Sequence, residues 1–157
     1  MRSAVRLAAG LVAAALTGPA AAKPEQIRSD QDPVFHYYLQ TYPKNASLVV
    51  LGPVATSEYF TIGGTVQSTN TSRYLNIGTA DASYKPLTFD AAAATTAWQL
   101  EGDTLITATS SSFGRQLNFL VCKLDGTYWQ VFLQTGSATP SGQTCSNYQS
   151  LHLPCLC

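Results

Sequence analysis

The residues with the most distinctive chemistry are four cysteines, Cys122, Cys145, Cys155 and Cys157, all placed after residue 121. An oxidising compartment turns such residues into crosslinks, whereas a reducing one leaves them as thiols or metal ligands. Four cysteines allow three connectivities. Cys155 and Cys157 are one residue apart, so joining them would close a strained small ring. The Cα distance rule therefore favours one or two longer loops back to Cys122 and Cys145. A Cys-x-Cys metal site is the competing reading. It lacks the convergent spacing of zinc sites, with only His36 and His152 to contribute, so no metal is expected.

Other reactive groups are sparse. A glycosidase needs two carboxylates across a cleft. Glu101 and Asp103 flank Gly102 in a predicted turn, where both would be solvated. Glu58 precedes an apolar strand and reads as an edge or surface residue. Serine catalysis needs a base beside its nucleophile. His36 falls on the opposite strand face from Phe35 and Tyr37, and His152 sits between Leu151 and Leu153, so both read as ordinary strand residues. There is no Gly-x-Ser-x-Gly elbow. The expectation is a protein without enzymatic activity and without a cofactor.

Aromatic pairs are the better lead to binding. Neighbouring residues of a strand face opposite ways, so one of Tyr37 and Tyr38, and one of Tyr128 and Trp129, must point outward. Outward rings can stack on sugar faces, as in a carbohydrate-binding module. Cross-strand aromatic pairs that only stabilise the sheet are the competing reading, and the favoured one.

Which compartment applies is decided by the first 22 residues. Arg2 and Arg6 precede an apolar run from Leu7 to Leu16, then Gly18-Pro19 and the small residues Ala20-Ala21-Ala22. This pattern predicts a secretory signal peptide cleaved after Ala22. The run is much shorter than the ~20 residues of a membrane span, and no late hydrophobic tail suggests a lipid anchor. The protein is thus expected to be secreted, extracellular or in a cell wall. Behind such a leader, the sequons at Asn45 and Asn70 become N-glycan acceptors.

Removing Arg2 and Arg6 leaves seven basic against nine acidic residues, a net charge of −2. The basic residues are scattered singly, so neither nucleic acid nor an anionic membrane is expected as a partner. Charged residues make up only 11% of the chain, which leaves its surface to be wetted by hydroxyls.

The elements that must position these groups read as short strands. Residues 23–33 are polar and end in Asp-Gln-Asp-Pro, a predicted flexible leader. Phe35 to Thr41 follows as a strand with Phe35, Tyr37, Leu39 and Thr41 on one face. Ser47–Leu51, Tyr59–Ile62, Thr65–Gln67 and Ser72–Ile77 continue the pattern, with a turn or bulge at Gly63-Gly64. Asp90 to Ala94 predicts one short helical turn. Thr96–Leu100 and Thr104–Thr107 form a tight hairpin around Gly102. Leu117–Cys122 and Tyr128–Leu133 flank Asp125-Gly126, the strongest hairpin signal in the chain. A loop through Pro140-Ser141-Gly142 leads to a last strand over Tyr148–Leu153. The sum is an all-β fold: a single disulfide-stabilised β-sandwich or flattened barrel of nine or ten short antiparallel strands over residues 34–157.

The order Trp98-Gln99-Leu100, Asn118-Phe119-Leu120-Val121-Cys122, Tyr128-Trp129-Gln130-Val131-Phe132-Leu133 and Pro140-Ser141-Gly142-Gln143-Thr144-Cys145 resembles small secreted proteins of filamentous fungi. Among these is the phialide-associated cell-wall group. More distantly, it is similar to the C-terminal domain of yeast wall proteins with internal repeats. The resemblance spans Trp98 to Leu153. It implies a compact all-β secreted domain and a Cys122–Cys145 bridge. The terminal Pro154-Cys155-Leu156-Cys157 departs from the pattern, and covalent wall attachment does not carry over. Residues and resemblance together lead to a non-enzymatic secreted fungal protein with a structural or interaction role. Its expected partners are wall polysaccharide or another extracellular protein. The alternatives are a carbohydrate-binding module using exposed aromatics and a host-facing effector.

Overall fold

A computed structural model describes residues 23–154, so the predicted signal peptide, Cys155 and Cys157 lie outside the described residues. The fold is all-β, as expected, with thirteen short strands in place of nine or ten. They are β1 (Arg28–Ser29), β2 (Tyr38–Tyr42), β3 (Asn45–Gly52), β4 (Phe60–Ile62), β5 (Val66–Ser68), β6 (Tyr74–Ile77) and β7 (Tyr84–Asp90), followed by β8 (Trp98–Glu101), β9 (Thr104–Thr107), β10 (Phe119–Lys123), β11 (Trp129–Gln134), β12 (Cys145–Gln149) and β13 (Leu151–His152). Among the described residues a single 3-10 turn, Val54–Thr56, interrupts the strands.

All strand pairs are antiparallel, in the order β4-β5-β6-β7-β11-β3-β2-β1-β13-β9-β8. The two ends of this path nearly meet. The Trp98 N–H at the β8 end donates to the Gly64 carbonyl at 2.9 Å; separately, Glu25, ahead of β1, pairs with Phe60 of β4 through both backbone bonds. The result is a nearly closed barrel, the arrangement that removes exposed sheet edges. A second short path leaves it, because β11 also pairs with β10 and β10 with β12.

The hairpins follow from their turn chemistry. Gly102 supplies the positive φ of 63° between β8 and β9. Between β10 and β11, the Asp125 carboxylate accepts the N–H groups of Thr127 and Tyr128, both at 2.8 Å. Period-2 alternation then sorts the side chains. From β10, Phe119 and Val121 enter the main core, while Leu120 and Cys122 enter a small second cluster with Phe132, Tyr84 and Cys145. Cys122 and Cys145 face each other in register across β10 and β12 and form the disulfide.

Buried amides fasten the loops to the barrel. Gln40 donates to the carbonyls of Tyr38 and Pro53 and accepts the Thr56 hydroxyl. Gln134 joins Ser83, Gly136, Ala138 and Asn147. Gln149 joins Ser29, Asp32 and Ser146. Paired in this way, the amides escape the penalty of unsatisfied burial.

Three expectations need correction. The segment 23–33 is no flexible leader: Ile27 is fully buried, its carbonyl accepts the Leu39 N–H, and β1 lies between β2 and β13. One apolar side chain with paired polar neighbours anchors it, a signal too brief for composition to show. The first predicted strand begins at Tyr38, since His36 has φ 56° and Phe35 is exposed. Asp90 closes β7 instead of opening a helical turn, and 91–97 is irregular. There, the Asn76 side chain takes the backbone N–H groups that a helix would have used internally.

Two measurements test this architecture. Ile27→Ala is expected to lower unfolding free energy by about 2–5 kcal/mol in urea denaturation; a change within about 0.5 kcal/mol would place Ile27 outside the core. Replacing Cys122 and Cys145 together by alanine should cost about 2–4 kcal/mol. Superimposable denaturation curves would show that the bridge does not contribute.

Candidate functional site

The four aromatics singled out in the sequence divide unevenly. Tyr38 (9% exposed) and Trp129 (8% exposed) are buried, which removes them as ligand-facing rings. Tyr37 is half-buried against the core. Tyr128 is the outward member of its pair, but its ring covers Gly52, where a Cβ would lie 2.6 Å from it. It also meets Tyr42 edge-on, at 5.5 Å and 74°, and two rings at that angle form no flat platform. The Tyr42 hydroxyl donates to Asp125 at 3.0 Å, which raises its pKa above the ordinary tyrosine value. The large exposed aromatics are Phe35, stacked on His36, with Tyr59 and Tyr148.

Glu101 and Asp103 stand exposed in the β8–β9 region. Glu101 pairs with Arg115, whose hydrogen bonds hold its carboxyl below the usual range. Glu58 corrects the surface expectation, since it is only 6% exposed. Its carboxylate accepts the Thr41 N–H and the Ser68 hydroxyl, and those hydrogen bonds make its burial tolerable. Asn45 and Asn70 are both exposed, and each turns its Oδ1 to a backbone N–H, from Ser47 and Tyr59 respectively. Among the described residues, no group of three or more His, Cys, Asp or Glu could hold a metal, and no helix is long and apolar enough to cross a membrane.

One polar chain was hidden in the sequence. His152 Nε2 lies 2.8 Å from Ser150 Oγ, and Nδ1 lies 3.3 Å from Asp103 Oδ1 and 3.2 Å from Thr104 Oγ1. A carboxylate only accepts, so the assignment that satisfies it puts the proton on Nδ1; the single Ser150 hydroxyl proton is then shared between Nε2 at 2.8 Å and Gln31 Oε1 at 3.2 Å. The order is that of a nucleophile, base and carboxylate. Ser150 also donates its backbone N–H to Gln31 Oε1 at 2.9 Å. The chain clasps Gln31, β13 and the β8–β9 turn together. Ser150, between β12 and β13, and His152, in β13, stand two apart in the sequence, and that spacing was the available signal.

A concavity of about 300 Å³ lies where 94–97 faces the loop 110–113. Ile77 and Phe113 supply apolar surface; Thr79, Thr96, Ser110 and Ser112 supply hydroxyls; no charged residue lines it. Its first rim is built on Asn76, 4% exposed. The Asn76 Oδ1 accepts from Ala94 and Thr95, both at 3.0 Å, and its Nδ2 donates to Ala92 and Asp90. With the Thr88 hydroxyl as the leading cause and the Asn76 amide next, these bonds hold the Asp90 carboxyl below the usual range. On the second rim, Phe113 N–H bonds Ser111 Oγ and Thr107 Oγ1 bonds the Gly114 carbonyl. Both rims are loops, so no strand or helix period marks the site in the sequence.

The class defined here is a nearly closed, disulfide-fastened antiparallel β-barrel with an uncharged surface groove. No family model, curated protein or solved structure matches the chain.

Asn76→Ala should cost about 1–3 kcal/mol by stranding the rim's backbone donors. Hydrogen exchange supplies the specific check: Ala94 and Thr95 amides should exchange faster, and unchanged protection there would contradict the role given to Asn76.

Proposed function

We propose that the protein is a non-enzymatic exported fungal protein, wall-associated or freely extracellular, with a structural or interaction role. The observation that carries this reading is the Cys122–Cys145 bridge between paired strands. Such crosslinks persist in oxidising compartments and are rare in the cytosol. The N-terminal pattern supports the same address, with Arg2 and Arg6, a short apolar run and Ala20-Ala21-Ala22. Exposed Asn45 and Asn70 are then available as glycan acceptors, which would hydrate a surface poor in charge. The similarity of Trp98 to Leu153 to small secreted fungal proteins points to the same setting.

The test is to express the full chain in a filamentous fungus and analyse medium, wall and cytosol by mass spectrometry and N-terminal sequencing. The expected product begins at Lys23, carries the Cys122–Cys145 bridge, and loses mass on enzymatic removal of N-glycans. An intact, reduced 157-residue chain confined to the cytosol would overturn the reading.

A further inference from the structure

We propose that the groove between 94–97 and 110–113 binds a neutral sugar chain, with a pyranose ring against Phe113 and its hydroxyls met by Thr79, Thr96, Ser110 and Ser112. This deepens the interaction role above and rests on that reading only for where the ligand is met.

The argument begins with which groups are already used. Thr95 Oγ1 accepts the Ile77 N–H, Ser111 Oγ accepts the Phe113 N–H, and Thr107 Oγ1 serves the Gly114 carbonyl. These hydroxyls build the rims. The hydroxyls of Thr79, Thr96, Ser110 and Ser112 line the cavity and make no side-chain hydrogen bond among the described residues. Each offers one donor and two acceptors, the same dual capacity as the hydroxyls of a sugar.

Other ligand classes fit less well. An anion would find no cation in the lining. A purely apolar ligand would strip water from four hydroxyls and return no hydrogen bonds, a loss that recurs at each unpaired group. An added peptide strand needs free backbone groups. Here the N–H groups of Ala94 and Thr95 bind Asn76, Ser111 N–H binds Ala108, and the Ala97 carbonyl accepts from Ala108. A neutral pyranose satisfies both halves of the lining: its C–H face covers Phe113, and its edge exchanges hydrogen bonds with the four hydroxyls. The volume of about 300 Å³ lies at the small end of ligand sites, which suits one or two sugar units and weak binding. Rims fixed by internal hydrogen bonds reduce the ordering cost on binding.

The experiment uses isotope-labelled protein secreted by a yeast host and titrated by NMR with two probes, a β-1,3-glucan hexamer and a chitin hexamer. With at least one of them, amide shifts should fall on residues 77–79, 94–97 and 110–113. Thr96→Arg and Ser112→Arg, both at exposed positions, should weaken binding at least tenfold while keeping the wild-type fold. The paired Ser110→Ala/Ser112→Ala variant removes hydroxyls without adding bulk and should also weaken it, so an arginine variant that unfolds does not end the test. Response to the glucan or the chitin hexamer identifies the polysaccharide, and either supports the proposal. No shifts with either probe at about 10 mM, shifts elsewhere, or variants that bind like wild type would overturn it. A correctly exported protein that fails to bind would sink the groove assignment alone; a cytosolic chain that binds would sink the export reading alone.

Discussion

The barrel depends on how its two ends meet at Trp98. This residue is 2% exposed and donates both of its N–H groups, the backbone one to Gly64 and the indole one to Leu75, each at 2.9 Å. The backbone bond joins the last strand of the path to the β4–β5 connection, while the side chain reaches β6 and fills the core beneath the seam. Gly64 is required there, since a Cβ would lie 2.9 Å from the Thr96 carbonyl oxygen. Thr96 and Ala97, immediately before Trp98, form a groove rim, so closing the sheet also places the site. Barrel and groove share one joint.

Legibility in the sequence followed the strength of local signals. The β10–β11 and β8–β9 hairpins were readable because Asp125-Gly126 and Gly102 dictate turns between aromatic and β-branched runs. β7 was not readable, because Pro86 interrupts a run that nevertheless pairs with Phe132. A proline that lacks a donor can still accept, and the Pro86 carbonyl takes the Gly78 N–H at 2.7 Å. β1 escaped because its two residues, Arg28 and Ser29, are polar, and the one buried apolar anchor, Ile27, lies just before them. Asp90-Ala91-Ala92-Ala93-Ala94 misled in the other direction. Its alanines favour a helix, but Asn76, distant in sequence, captures the segment's backbone donors.

The same limit applied to the site. Strand alternation demanded opposite faces for Tyr128 and Trp129; Trp129 is buried and Tyr128 is half-buried over Gly52. What the sequence could not supply was its neighbour, Tyr42, whose edge-on approach leaves no flat surface. The groove was illegible for a different reason. Its hydroxyl residues come from three separated segments, and serine and threonine in loops are too common to single out.

The buried carboxamides Gln40, Gln134, Gln149 and Asn76 have a consequence for how the fold responds to pH and salt. Carboxamides carry no ionisable proton and no net charge, so acid, alkali and brine leave the scaffold's principal polar fastenings in place. Carboxylates add further fastenings: Glu58 to Thr41 and Ser68, Asp90 beside Asn76, Asp125 in the β10–β11 turn, Glu101 to Arg115 and Asp103 to His152. Changes of acidity or salt therefore leave these amide fastenings themselves uncharged, whatever happens to the carboxylates around them.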